Sequence, residues 1–225
     1  MTEIAEEVGR SKATVHHHLS TLTDHGYLVT DDGTYEPSLQ FFEIGQRILQ
    51  HKDVYQAGTG PLRELAEETG EVANLMVEEN GKGIYVAIEE GAEAINLDTS
   101  VGSEQYLHTC ALGKAILAHL PSSRRDEIVD RWQLPAETPR TVTDRDRLED
   151  VLADVRERGV AFDGEERAAN VRCVAAPITT NEGTVLGAVS VSGPASRMKD
   201  DRLESTLVDQ VENTATVIAL NATYR

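Results

Sequence analysis

The stretch SKATVHHHLSTLTDHGYLVTDDGTYEP, residues 11–37, decides how the chain is read. Ser11 stands where a helix N-cap belongs, Val15, Leu19 and Leu22 recur at helical spacing, and Gly26 supplies a left-handed stop. Tyr27-Leu28-Val29 then reads as a strand, Asp32-Gly33 as a hairpin turn and Thr34-Tyr35 as the return strand. Upstream, Thr2 to Val8 fits a short helix with Ile4, Ala5 and Val8 on one face and Gly9 as its stop. Helix, tight turn, helix and β-hairpin is the order of a winged helix-turn-helix, assigned here to residues 1–38.

In such a motif the second helix enters the major groove with its apolar stripe turned inward. That leaves Lys12, Thr14, His17 and Thr21 to face DNA, with Arg10 and Ser11 at the turn and His18 flanking the stripe. Cations suit phosphates, while hydroxyl and imidazole groups suit phosphates or base edges. Adjacent histidines on a helix point about 100° apart, so His16-His17-His18 cannot converge on one metal ion, and no metal site or other cofactor is expected.

Charge sets a constraint on this reading. The chain carries 39 acidic against 21 basic residues, a formal net charge of −18, with the acids dispersed along its length. That pattern resembles the surface of a protein working in concentrated salt. Residues 1–36 alone hold Arg10 and Lys12 against seven acids, so DNA binding is expected to be specific, with little nonspecific electrostatic help.

Beyond the hairpin, Phe41, Ile44 and Ile48 mark an amphipathic linker helix, and Gln56–Pro61 reads as a boundary, which assigns 39–60 to the linker. Residues 61–225 then read as an α+β domain, an antiparallel sheet with packed helices. Helices are expected from Leu62 to Gly70, from Leu112 to Leu120, from a Thr143-x-x-Asp146 cap to Gly159, and from about Asp201. Strands are expected over 73–79 and 83–89 around Asn80-Gly81, near 94–99, and over 173–178 and 185–192. Gly113-Lys114 is no phosphate loop, because position 108 is not glycine and Ala115 replaces the required hydroxyl. Two cysteines without zinc spacing, no leader pattern and no long apolar run point to a cytoplasmic chain that does not enter the membrane.

Several ordered segments carry a resemblance. MTEIAEEVG (1–9), SKATVHHHLSTLTDHGYLV (11–29) and DDGTYEPSLQFFEIG (31–45) resemble the winged helix-turn-helix of the IclR family. YLHTCALGKAILAHLP (106–121), TPRTVTD (138–144), RERGVAFDGEE (156–166), VRCVAAPI (171–178) and VLGAVSVSGPASR (185–197) resemble its GAF-like effector domain in order and spacing. The resemblance implies a further helix before this point, so the first helix of the DNA-binding domain is expected to be missing. It also implies a transcriptional regulator that binds a double-stranded DNA operator as a homodimer or tetramer and is not an enzyme. Its effector contacts fall on Ala111, Leu112, Asp163, Val171, Cys173, Ser190 and Ser192.

The residue types fit a small organic, sugar or aromatic acid. Ala111-Leu112-Gly113 opens a helix whose free N–H groups attract anions, and Ser190 and Ser192 share one strand face. The alternative is a ligand- or redox-sensing domain, or an enzyme using Cys110 or Cys173 as nucleophile and His108 as base, without effective DNA binding.

Overall fold

The computed structural model describes residues 1–199 and 201–224 and divides into two compact units, Met1–Lys52 and Asp53–Arg225. In the first, helix α1 (Thr2–Glu7) and helix α2 (Lys12–Asp24) precede strands β1 (Leu28–Asp31) and β2 (Thr34–Pro37) and helix α3 (Gln40–Gln50). Ala5, Val15 and Leu19 form the small core, packed by Ile4, Leu28 and Tyr35. Leu22, expected in that core, is 40% exposed. Its carbonyl instead accepts the Tyr27 N–H while Gly26, at φ +78°, donates to Thr23 O, a Schellman stop that fixes where the chain turns into β1. Asp32 and Gly33, both at positive φ, make the expected tight turn.

The expected linker over 39–60 divides differently. Helix α4 runs Asp53–Thr69 straight through the Gln56–Pro61 segment, and the units part after Lys52. Turn-like composition misleads here because Gly58 serves packing: a Cβ there would stand 2.7 Å from Leu75 Cδ2.

The second unit is built on one six-stranded antiparallel sheet. Its strands are β3 (Val72–Glu79), β4 (Lys82–Glu90), β5 (Glu104–Tyr106), β6 (Ala161–Gly164), β7 (Val171–Thr179) and β8 (Val185–Pro194), in the order β5-β4-β3-β8-β7-β6. The segment 94–99, expected as a strand, is irregular, and β5 forms after it, too short to give a clear alternation. Helix α4 and helix α8 (Leu207–Thr223) pack together on one face of the sheet. Against the other lie α5 (Ala111–His119), α6 (Ser122–Trp132) and α7 (Arg145–Arg158), joined by Leu107, Ile116, Ile128, Leu148 and Leu152 in one apolar cluster.

Two ends differ from expectation. Asp144, not Thr143, caps α7, its Oδ1 accepting the Arg147 N–H at 2.9 Å. The last helix becomes regular only at Leu207, after a π-helical turn over Arg202–Thr206.

The start of α5 is held by close backbone contact. A Cβ on Gly113 would lie 2.1 Å from Leu107 O and 2.4 Å from Leu107 Cα. Gly113→Ala is therefore expected to lower stability by about 2 to 4 kcal/mol in urea denaturation, through forced displacement of the α5 N-terminus.

Candidate functional site

In the first unit, Arg10, Ser11, Lys12, Thr14, His17, His18 and Thr21 are all exposed. Ser11 Oγ caps α2 by accepting the Thr14 N–H at 3.2 Å, which commits Ser11 to the turn. Thr14, His17 and Thr21 stand at i, i+3 and i+7, on the side of α2 opposite the buried Val15 and Leu19. Thr21 Oγ1 donates to His17 O at 3.0 Å, so its lone pairs remain turned outward.

In the second unit, a largely enclosed cavity of about 20 Å³, room for a single water molecule, is lined by Ala111, Leu112, Asp163, Val171, Cys173, Ser190 and Ser192. These are the seven residues singled out for effector contact. Three elements deliver them. Ala111 and Leu112 open α5, whose first N–H groups have no partner within the helix. Ser190 and Ser192 alternate on β8, and Asp163 on β6 pairs in register with Cys173 on β7, itself opposite Ser192. Asp163 and Cys173 thus face each other across a ladder, and the connection between their strands spans only 165–170.

The cavity also contains residues that no motif signalled. Asn74 on β3 donates from Nδ2 to Ser192 Oγ at 3.1 Å and Ser190 Oγ at 3.4 Å, while its own Oδ1 is buried with no hydrogen-bond partner. Arg167 lines the cavity and ties its 165–170 loop to the opposite rim, donating to Gln105 Oε1 at 3.0 Å and Asp98 O at 3.1 Å. Tyr85, Thr99 and Cys110 complete the polar lining. Asn74 has a trace in sequence, since a lone amide in an otherwise apolar buried strand needs a partner. Arg167 has none, because its role depends on two loops distant in sequence.

Electrostatics separates the cavity's acid from its thiols. Burial pushes the Asp163 carboxyl up to about 6, although its Oδ1 accepts the Glu166 N–H at 2.7 Å. Burial likewise pushes the Cys110 thiol up to about 12 and raises that of Cys173, which keeps both protonated. His108 has its pKa lowered by burial, and its Nε2 donates to Pro135 O at 3.0 Å. Neither thiol has the lowered pKa and adjacent base of a nucleophile.

The raised value of Asp163 makes it a cost to the fold. Its own contribution to stability is most favourable below the unfolded value near 4, declines as pH rises toward 6, and stays lower above. Asp163→Asn keeps an acceptor for the Glu166 N–H and removes that charge. In melting curves it is expected to stabilise the protein by about 1 to 3 kcal/mol at pH 7.5 and to flatten the decline between pH 4 and 6.

Comparison with known proteins shows the family. The family described as "Bacterial transcriptional regulator IclR C-terminal" matches residues 46–220, and "IclR helix-turn-helix domain" matches residues 1–32. The HTH-type transcriptional regulator XynR of Escherichia coli (strain K12) is 33% identical over 205 residues, 90% of this chain and 81% of XynR. The probable HTH-type transcriptional regulator ArcR of Halobacterium salinarum is 30% identical over 222 residues, 97% of this chain and 84% of ArcR. The crystal structure of the Thermotoga maritima IclR superimposes with a TM-score of 0.82 at 28% identity, covering 99% of this chain and 90% of that one. The chain belongs to the IclR family of DNA-binding transcriptional regulators.

Proposed function

We propose that this protein binds a two-part operator through paired copies of α2 and that a small carboxylic acid in the Asp163 cavity controls that binding. The observation that supports it is the convergence of the α5 N-terminus, Ser190, Ser192 and Asp163 on one enclosed space. An effector carboxylate would lie against the Ala111 and Leu112 N–H groups, where the helix dipole favours negative charge. Ser190 would donate to it, and Asn74 and Asp163 would accept from a hydroxyl on the same molecule. A cavity of one water's size admits such a ligand only when the 165–170 loop gives way. Effector binding therefore exchanges the Arg167 contacts to Gln105 and Asp98 for contacts with the ligand.

On the DNA side, Thr14, His17 and Thr21 would reach base edges, with Arg10 and Lys12 on flanking phosphates, Ser11 fixing the helix start and His18 at the groove edge. The fold supports pairing of copies: α3 buries none of its residues, and Leu39, Phe41, Phe42 and Ile48 are more than half exposed. An apolar row of this kind is the sort of surface a second copy covers. A regulator of this kind works in the cytoplasm, where the operator lies.

Footprinting is expected to show two half-sites about one helical turn, or a multiple of it, apart. A single asymmetric half-site would contradict pairing. With two cations per head, the log–log plot of affinity against salt should have a slope of about −4 or shallower. A thermal-shift screen of hydroxy, sugar and aromatic acids is expected to give a hit that is lost in Ser190→Ala and that changes operator affinity. A hit that leaves operator affinity unchanged would sink control by this cavity.

A further inference from the structure

On the other side of β6 from the Asp163 cavity lies a larger hollow of about 590 Å³, bounded by α7, the 140–144 segment, β6 and Lys114 of α5. Its volume falls in the range of small-molecule sites. Strand alternation separates the two spaces, since Asp163 lines the first and its neighbours Phe162 and Gly164 line the second.

Its cations set it apart from the rest of the surface. In a chain with 39 acids and 21 basic residues, guanidinium groups rarely go unpartnered. Among the described residues of the second unit, every arginine but two gives its guanidinium to a carboxylate, a carbonyl or amide oxygen, or an aromatic ring. The two exceptions, Arg147 and Arg158, both line this hollow.

Arg147, Val151 and Arg158 stand at i, i+4 and i+11 on one stripe of α7. At 1.5 Å rise per residue, the two arginines sit about 16 Å apart along the helix. Between them the wall is apolar, made by Val151 and Val155 with Val142 and Phe162 also lining the space. The acids of the lining are mostly engaged. Asp144 caps α7, and Glu166 holds the buried Lys114 at 2.5 Å. Asp154, four residues before Arg158, has neither a cap nor an ion-pair role among the described residues and would oppose an incoming anion most directly.

We infer that this hollow is a second ligand site, distinct from the Asp163 cavity, for an elongated organic dianion with an acidic group at each end and an apolar middle. Each end meets one unpaired guanidinium, and the middle lies on the valine stripe.

The test is calorimetric titration of the full chain with nonanedioate, a nine-carbon dicarboxylate, beside nonanoate as the one-ended control. Saturable binding is expected, at least about threefold tighter for the dianion. Arg147→Gln and Arg158→Gln are each expected to weaken it about three- to tenfold. Asp154→Asn is expected to tighten it about two- to fivefold by removing the opposing charge. All three positions are exposed, so unchanged melting curves verify folding, and a gain in affinity cannot arise from misfolding. Ser190→Ala should leave binding intact. No saturable binding at millimolar nonanedioate overturns the site, as does binding lost in Ser190→Ala, which would place the ligand in the other cavity. Sensitivity at one arginine only, or equal affinity for nonanoate, overturns the two-ended assignment.

Discussion

The pairing of β3 with β8 is the constraint on which the candidate site depends. The sheet consists of two sequence-local halves, β5-β4-β3 and β8-β7-β6, and they meet only along Val72–Met76 against Ala188–Ser192. That seam sets Asn74 opposite Ser190 and two residues from Val72, the partner of Ser192, so that an amide from one half ties both hydroxyls of the other, across 116 and 118 residues. A slip of one residue would turn Asn74 toward the opposite face, where α4 and α8 pack, and take the two hydroxyls out of its reach. Register is held by bulk on both faces: Leu75, Met76, Val189 and Val191 are fully buried. Gly187 fits only because it has no side chain, a Cβ there meeting Met76 O at 2.4 Å.

The cavity that this seam closes is imperfectly satisfied, and its imperfections share a direction. Asn74 Oδ1 has no donor, Asp163 is held where its ionised form is disfavoured, and the α5 N-terminus leaves N–H groups open. A core selected for stability alone would replace these groups with apolar ones. Their presence next to a loop latched by Arg167 supports the proposal that this cavity gains partners when a ligand binds.

Much of this was legible in the sequence, and the physical reasons for success and failure are specific. The hairpin turns at Asp32-Gly33 and Asn80-Gly81 demand positive φ that few residues supply, so composition alone located them. The resemblance gathers the seven residues that line one cavity, whereas the residues by themselves offer the Ser190 and Ser192 pair, the α5 start and the loop between Asp163 and Cys173. Gln56–Pro61 failed as a boundary because Gly58 answers to a neighbour in β3 rather than to a turn. Leu22 shares the stripe of Val15 and Leu19 but lies at the C-terminal end of α2, beyond the small core of Ala5, Val15 and Leu19, and stays 40% exposed. Arg167 and the pair Arg147 and Arg158 stayed hidden because partnership, or its absence, is a property of the folded surface.

The same accounting of charge bears on how such an acidic protein recognises DNA. Its cations are scarce, and the second unit spends most of them internally. Glu71, fully buried, is held by Arg197 at 2.7 Å and by Arg202 at 3.1 Å, and Arg202 also reaches Thr69 O at the end of α4. Such a clamp is strong because both guanidinium groups bring fixed donors to one desolvated carboxylate. In the first unit Arg10 and Lys12 stand at the start of α2, and the rest of the exposed face of that helix carries threonine and histidine. On the proposed reading of α2, hydroxyls and imidazoles would meet base edges without long-range attraction, so that recognition would rest on fit at the groove more than on the field of the phosphates.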